Sequence, residues 1–325
     1  MNKDGEFDPR STQSFALDND TFADSDDDYT NGLQYSWLSP YLDSYEEAPI
    51  PSGVGRWLDE WQIFNRAEDQ QHFFSYSLSH RIFTPSDLTL ENPVDGADVP
   101  YSASVYLTAT AGAQTESTMD AVSATVGWVG PAALGEQIQN GWHDLISSKD
   151  AQGWDTQIGN EPLFNLAYER RWRLRSFGHR GWGGDWLASG AGSVGNLLSM
   201  ATAGTSVRFG WNVLDDYAMP PPFASEESIG SRPLTRTGIP QWSVYGFLYV
   251  SGSVIANAIF WDGNTFSDSP SVDYDPFIAR AYTGLVVRRG GLSVAFSLVG
   301  TTVPWEDPED PSTQRYGRLG FTWTL

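Results

Sequence analysis

The chain has 325 residues, enough for one large domain or two ordinary ones. Apolar residues make up 40% and charged residues only 18%, so a fully water-facing surface of normal charge density is hard to build. The formal net charge of −22, from 41 acidic against 19 basic side chains, speaks against nucleic acid, whose phosphates demand a positive surface. It suits a metal-rich environment or loops exposed outside a cell. With no cysteine, disulfides, thiolate catalysis and Cys-ligated zinc are out. No window approaches the eighteen or so consecutive apolar residues of a transmembrane helix.

In chain order, residues 1–12 read as a disordered polar tail or as residues added for expression. MNKDGEFDPR holds no apolar stretch and is not a secretory signal. One domain is expected over 13–325. Phe15 to Phe22 and Leu33 to Leu38 are strand candidates flanking the acidic run Asp24 to Asp28, and 40–70 is expected to be a long loop with a short helix. Ser75 to Phe83, Ser102 to Thr110 and Ala121 to Trp128 follow as strands, with Ala103, Val105, Leu107 and Ala109 on one face.

Leu163 to Arg175 alternates Leu166, Tyr168, Arg170, Trp172 and Leu174 against the opposite row. The stretch 220–240, with three consecutive prolines, is a loop. Gln241 to Trp261 reads as two segments joined near Ser251 and Gly252. Ala281 to Arg289 and Leu292 to Val299 form a hairpin across Gly290 and Gly291. Arg315 to Leu325 puts Tyr316, Arg318, Gly320, Thr322 and Thr324 on one parity.

Segments of roughly 9 to 11 residues that alternate small or polar with large apolar side chains are the signature of a transmembrane β-barrel. Closure satisfies every strand edge, as a bilayer requires, and aromatics near strand ends form interfacial girdles. The expected fold is therefore all-β: an antiparallel barrel of about twelve strands, an even number being the rule.

One segment is not a strand. PAALGEQIQNGWHDLIS, 131–147, places Leu134, Ile138, Trp142 and Leu145 at helical spacing, with Gly141 costing about 1 kcal/mol. It is expected as a helix inserted in a loop. Gln139 and His143, four apart, share a face, with Glu136 one turn back. Of the four histidines, His72 and His80 fall at alternating-face positions of a strand candidate and His179 in a glycine-rich loop. None has the HExxH spacing of a zinc hydrolase.

The acidic stretch DNDTFADSDDDYTNG, 18–32, crowds carboxylates and amides in a way that suits a hard cation such as calcium or magnesium, although Tyr29 stands where an EF-hand needs glycine. No G-x-S-x-G elbow is present. A histidine acting on water, with a cation stabilising an oxyanion, remains as the chemistry of choice.

LDNDTF at 17–22, DYTNG at 28–32, VGWVGPAALGEQIQNGWHDLI at 126–146 and GWDTQIGNEPLFNLAYE at 153–169 together resemble the outer-membrane lipid A 3′-O-deacylase family. The resemblance implies a twelve-stranded barrel in a bacterial outer membrane, with an active site near the extracellular rim between the wall and a loop helix. It implies calcium-dependent removal of the 3′-linked acyloxyacyl chain of lipid A. On that reading His143 activates water, Asn19 and Asp20 belong to the oxyanion and calcium site, and Thr30 positions groups around the cation. Glu136 or Glu161 could complete the metal shell, and Gln139 could orient the imidazole or the water. The implied partners are lipopolysaccharide as substrate and membrane lipid or detergent around a monomeric barrel. The chain departs from the family after Thr84 and Pro85, where Ser86 to Glu91 hold no Lys or Arg to meet lipid phosphates, although Arg81 is nearby. The rival readings are an outer-membrane phospholipase and a non-enzymatic channel or structural barrel.

Overall fold

The computed structural model describes residues 10–19, 31–61, 70–91, 98–146, 151–179, 181–220, 241–302 and 313–324; for 142–146 and 313 the backbone alone is described. Twelve antiparallel strands close into one barrel, each pairing with its neighbours in sequence and the last with the first. They are β1 (Thr12–Asn19), β2 (Asn31–Leu38), β3 (Gln71–Phe83), β4 (Ser102–Gln114), β5 (Thr118–Val129), β6 (Glu161–His179), β7 (Trp182–Gly195), β8 (Leu198–Trp211), β9 (Trp242–Ala258), β10 (Phe277–Arg289), β11 (Leu292–Thr302) and β12 (Thr313–Thr324). The end where β1 starts is called the near end, the other the far end.

Alternation fixes which row meets what. The paired residues Tyr35, Leu78, Leu107, Val126 and Phe164 cross β2 to β6 as an outward row, each exposed and apolar. The opposite parity faces a polar interior. There Arg208 is held by Asp185 and Asp216, Arg171 by Glu169, and Asp18 by Arg318 and Arg81. Buried charges of this kind persist only when paired. A cavity of about 270 Å³ remains in the lumen, lined by Ser14, Ser36, Ser77, Thr110, Arg318 and others. At the far mouth α3 (Ile259–Asp262) turns inward and Phe260 stacks on Phe83 at 4.3 Å.

Three sequence expectations are corrected. Gln241 to Trp261 is not two segments: β9 runs unbroken through Ser251 and Gly252, because Gly252 faces open space and both neighbours hold its backbone in register. Two long strands, β7 and β8, stand where alternation among glycine, alanine and serine gave no strand reading; pairing on both edges overrides their weak propensity. His72 and His80 lie on the same outward side of β3, eight residues apart, and His179 closes β6 rather than sitting in a loop. The hairpin at Gly290 is as expected, with φ of 58° at a position that favours glycine.

Two connections fold back onto the outer wall instead of standing clear of it. At the near end, the β2–β3 connection carries a 3-10 turn (Tyr45–Glu47) and α1 (Ser52–Glu60), and seats Leu42, Tyr45, Ala48 and Leu58 on Phe74, Ala111 and Ala113. At the far end, the β5–β6 connection carries a 3-10 turn (Pro131–Ala133), α2 (Gly135–Ile146) and a second 3-10 turn (Trp154–Thr156). The inserted helix is thus present over nearly the expected span, Gly141 included.

Candidate functional site

The insert leaves the wall at Gly130, whose amide donates to Ala103 O at 2.9 Å and whose φ of +103° suits glycine; a Cβ there would meet Gly159 O at 2.6 Å. Asn160 Oδ1 accepts from Ala132 N at 2.9 Å and Trp128 Nε1 at 3.0 Å, and His80 Nε2 lies 2.8 Å from Ala133 O. Ala133, Tyr101, Ala151 and Trp154 then pack on Ile82 and Ala103 of the outer wall. Burial among these rings pushes the Tyr101 hydroxyl up to about 12, so it stays protonated. The segment after Pro85 closes one side, with Leu88 O accepting from Gln152 N at 2.9 Å.

The wall beneath changes character. On β3 the outward positions pass from Leu78, 52% exposed, to Ile82, fully covered. Ile82 pairs with Asn31 of β2 and Asn31 with Asn19 of β1, so one outward row reads Asn19, Asn31, Ile82, Ala103. Asn19 is 3% exposed. Two buried amides on the lipid-facing side of a barrel carry a desolvation cost that membrane-exposed rows avoid.

Gln139, on α2, joins this patch through Trp154, which packs on Ile82 and Ala103. It is 2% exposed, and its Oε1 accepts from Trp154 Nε1 at 3.0 Å. An indole N–H only donates, so the amide orientation is fixed and, among the described residues, Nε2 is a buried donor with no partner. Gln139 can therefore donate to a bound group through Nε2, while its oxygen, held by Trp154, keeps a second lone pair.

Of the other expected residues, position 143 falls on α2 one turn beyond Gln139; its side chain lies outside the described atoms. Asp20 and Thr30 also lie outside the described residues, being the first and last of the connection that the Asn19–Asn31 pair closes. Glu136 is exposed on the first turn of α2. Glu161 is not brought to this group. It starts β6 on the interior parity, where its oxygens accept from Asn196 Nδ2 at 2.9 Å and Phe266 N at 3.1 Å. Arg81 is likewise interior, within 3.9 Å of Asp18 and fully covered. Sequence reasoning missed Asn31, Trp154 and Arg315. Arg315 is exposed on the outward side of β12, two residues from Gly317, which pairs with Asn19. A strand-register argument for the first and third needs the closed barrel, while the tryptophan spacing to Gln139 carried no signal of its own.

A closed barrel with a lipid-facing belt and a loop helix laid on its outer wall defines an outer-membrane β-barrel protein. The chain matches the family described as Outer membrane protein LpxR over residues 3–325, and it belongs to that family. Among solved structures it is similar to LpxR from Salmonella typhimurium, with 18% identity and a TM-score of 0.71 over 96% of this chain and 99% of that one. At that identity the likeness is one of fold. It is similar more loosely to the β domain of the Bordetella autotransporter BrkA, with 9% identity and a TM-score of 0.44 over 97% and 99% of the two chains. No curated protein matches.

Proposed function

We propose that the protein is a calcium-dependent ester hydrolase that removes the 3′-linked acyloxyacyl chain from lipid A, acting in the crevice between α2 and the outer wall. The observation that carries this reading is the buried Asn19–Asn31 row on a lipid-facing wall, together with Gln139 on α2, whose Nε2 has no partner among the described residues. A lipid in the bilayer reaches such a crevice from the side without leaving the membrane. Family membership supports the same reading.

The donor chemistry fits a hard cation. Asn19 offers an amide oxygen at the mouth of a connection that begins with Asp20, ends with Thr30 and holds Asp24, Asp26, Asp27 and Asp28. Asn19, Asp20 and Thr30 would hold the ion, with Glu136 as a further carboxylate; Glu161, already engaged inside the barrel, is left out of the set. Bound calcium would supply positive charge where the ester carbonyl gains negative charge.

The chain's own residues do the rest. His143, on α2, takes a proton from water as its oxygen bonds to the acyl carbon. It returns that proton to the sugar oxygen as the ester C–O bond breaks, leaving a free acid and an alcohol. Gln139 Nε2, held by Trp154, donates to an oxygen of the reacting ester. Tyr101, Trp154 and Ile82 exclude water from the back of the crevice. Arg315 is the contact for a lipid phosphate, taking the part that the segment after Pro85 lacks the cations to play.

Mass spectrometry of lipid A incubated with the purified protein in detergent, with calcium or with chelator, tests this. Loss of the 3′ acyloxyacyl mass with calcium alone is the expected result. Intact lipid A in both arms would overturn the reading, and release of fatty acid from glycerophospholipid instead would make the protein a phospholipase.

A further inference from the structure

The near end carries an aromatic girdle with a gap in it. Outward tryptophans stand near this end on β2 (Trp37), β6 (Trp172), β7 (Trp182 and Trp186), β8 (Trp211), β9 (Trp242) and β12 (Trp323). Such rings sit at the headgroup level of a bilayer. On β3, β4 and β5 no tryptophan stands at this end. Of the outward positions there, Phe74 on β3 and Ala111 and Ala113 on β4 are buried beneath the β2–β3 connection.

That connection presents its own rings in the gap. At about 100° per residue, α1 has three stripes. Gly55, buried against the 3-10 turn where a Cβ would meet Tyr45 O at 2.7 Å, and Leu58, buried in the cluster on the wall, form the protein-facing stripe. Gly53, Arg56 and Glu60 form an exposed polar flank. Val54 and Trp57, at 44% and 49% exposure, form an apolar flank that Trp61 continues, its ring 4.1 Å from that of Trp57. The aromatic line is continuous with the wall: Trp37 stacks on Tyr76 at 6.5 Å, Tyr76 meets Phe74 edge-on at 5.1 Å, and Tyr76 Oη donates to Pro49 O at 2.9 Å. A helix with one side on protein, one flank apolar and one flank charged matches a position in the membrane interface.

We propose that α1 completes the near-end girdle as an interfacial helix, with Val54, Trp57 and Trp61 seated in the headgroup–acyl boundary of the bilayer. The small outward residues of β4, Ala111 and Ala113, leave room for it, so this sector of the barrel meets lipid through a loop helix instead of through its strands. The occupant of the flank is phospholipid, since the apolar stripe continues a surface that already faces lipid.

The absence of cysteine allows a clean test. Nitroxide labels are placed singly by Val54→Cys, Arg56→Cys and Trp57→Cys in the full chain, reconstituted in phosphatidylcholine–phosphatidylglycerol vesicles, with folding checked by heat-modifiable gel mobility. Collision rates with oxygen and with a water-soluble nickel chelate are then compared by electron paramagnetic resonance. At 54 and 57 oxygen is expected to exceed the chelate several-fold, with the order reversed at 56. Equal chelate access at 57 and 56 would place the flank in water and overturn the proposal. Protection of 57 from both reagents would mean that protein covers it, which overturns it as well.

Discussion

The two connections that clamp onto the wall of β3 to β5 use the same architecture to opposite ends. Beneath the near-end helix, the contact is sealed and its polar groups are matched. Tyr45 is fully buried with its hydroxyl donating to Gly112 O at 2.7 Å, and Asp59 accepts from Ser44 Oγ at 2.7 Å and Tyr45 N at 2.9 Å. Beneath the far-end helix Trp154 and Ile82 pack together, yet among the described residues a glutamine donor has no partner and two asparagines interrupt the lipid-facing row. A seal minimises buried polar atoms, because each unmatched one costs about 1–3 kcal/mol. A site keeps them, because a ligand will match them. The inserted helices mark two places on the wall, and the Gln139 donor with the two asparagines distinguishes the far-end place from the near-end one.

The strongest way to break this contrast is to alter the far-end site. His143→Ala is expected to lower turnover on lipid A by roughly 10²–10⁴-fold with folding unchanged, the usual contribution of a general base. Asn19→Ala should cost about 10²–10³-fold, the scale of an oxyanion-site loss, and raise the calcium needed for half-maximal activity. Full turnover in either variant would remove that residue from the mechanism. Deacylation followed by mass spectrometry over a calcium series reads both.

At the near end the balance reverses. Tyr45→Ala removes a buried ring and is expected to destabilise the docked loop by about 3–5 kcal/mol. Limited proteolysis in the β2–β3 connection should speed up while deacylation stays near wild type. A matching fall in activity would show that the two clamps are coupled through the wall, against the division drawn here.

The smallest effect sharpens the far-end site. Trp154→Phe keeps the ring and deletes one N–H, leaving Gln139 Oε1 without its donor. A loss of a few-fold to about tenfold in kcat is expected, with KM little changed, since an unmatched group of this kind costs about 1–3 kcal/mol. Equal falls in thermal stability and activity, without a kcat–KM split, would reduce Trp154 to packing.

Much of this was legible in the chain itself. Period-two alternation identified the barrel and even the inward row of β12, because one parity meets lipid and the other meets the lumen. The run from Pro131 broke that period and announced the helix. Alternation failed for β7, where Ala188, Gly190 and Gly192 stand outside against Ser189, Ala191 and Ser193 inside, because small residues contrast little between faces. It failed again within β9, where Gly252 looks like punctuation but is held open and extended by its partners.

For the site, the sequence offered Asn19 and Gln139 as candidates, through a polar pair ending a strand and a polar face on a helix. It could not place Glu161, offered as a carboxylate that could complete the metal shell. The direction of β6 at its first residue turns that carboxylate into the barrel, towards Asn196 and Phe266. Nor could it show that Asn31 stands beside Asn19, that Arg315 rises on the next strand, or that Trp154 dictates which end of the Gln139 amide faces outward. Side-chain type and period are local properties, and so the chain carries them openly. Register across strands and the choice of partner for an amide depend on closure, which brings together residues some 300 positions apart, such as Asp18 and Arg318.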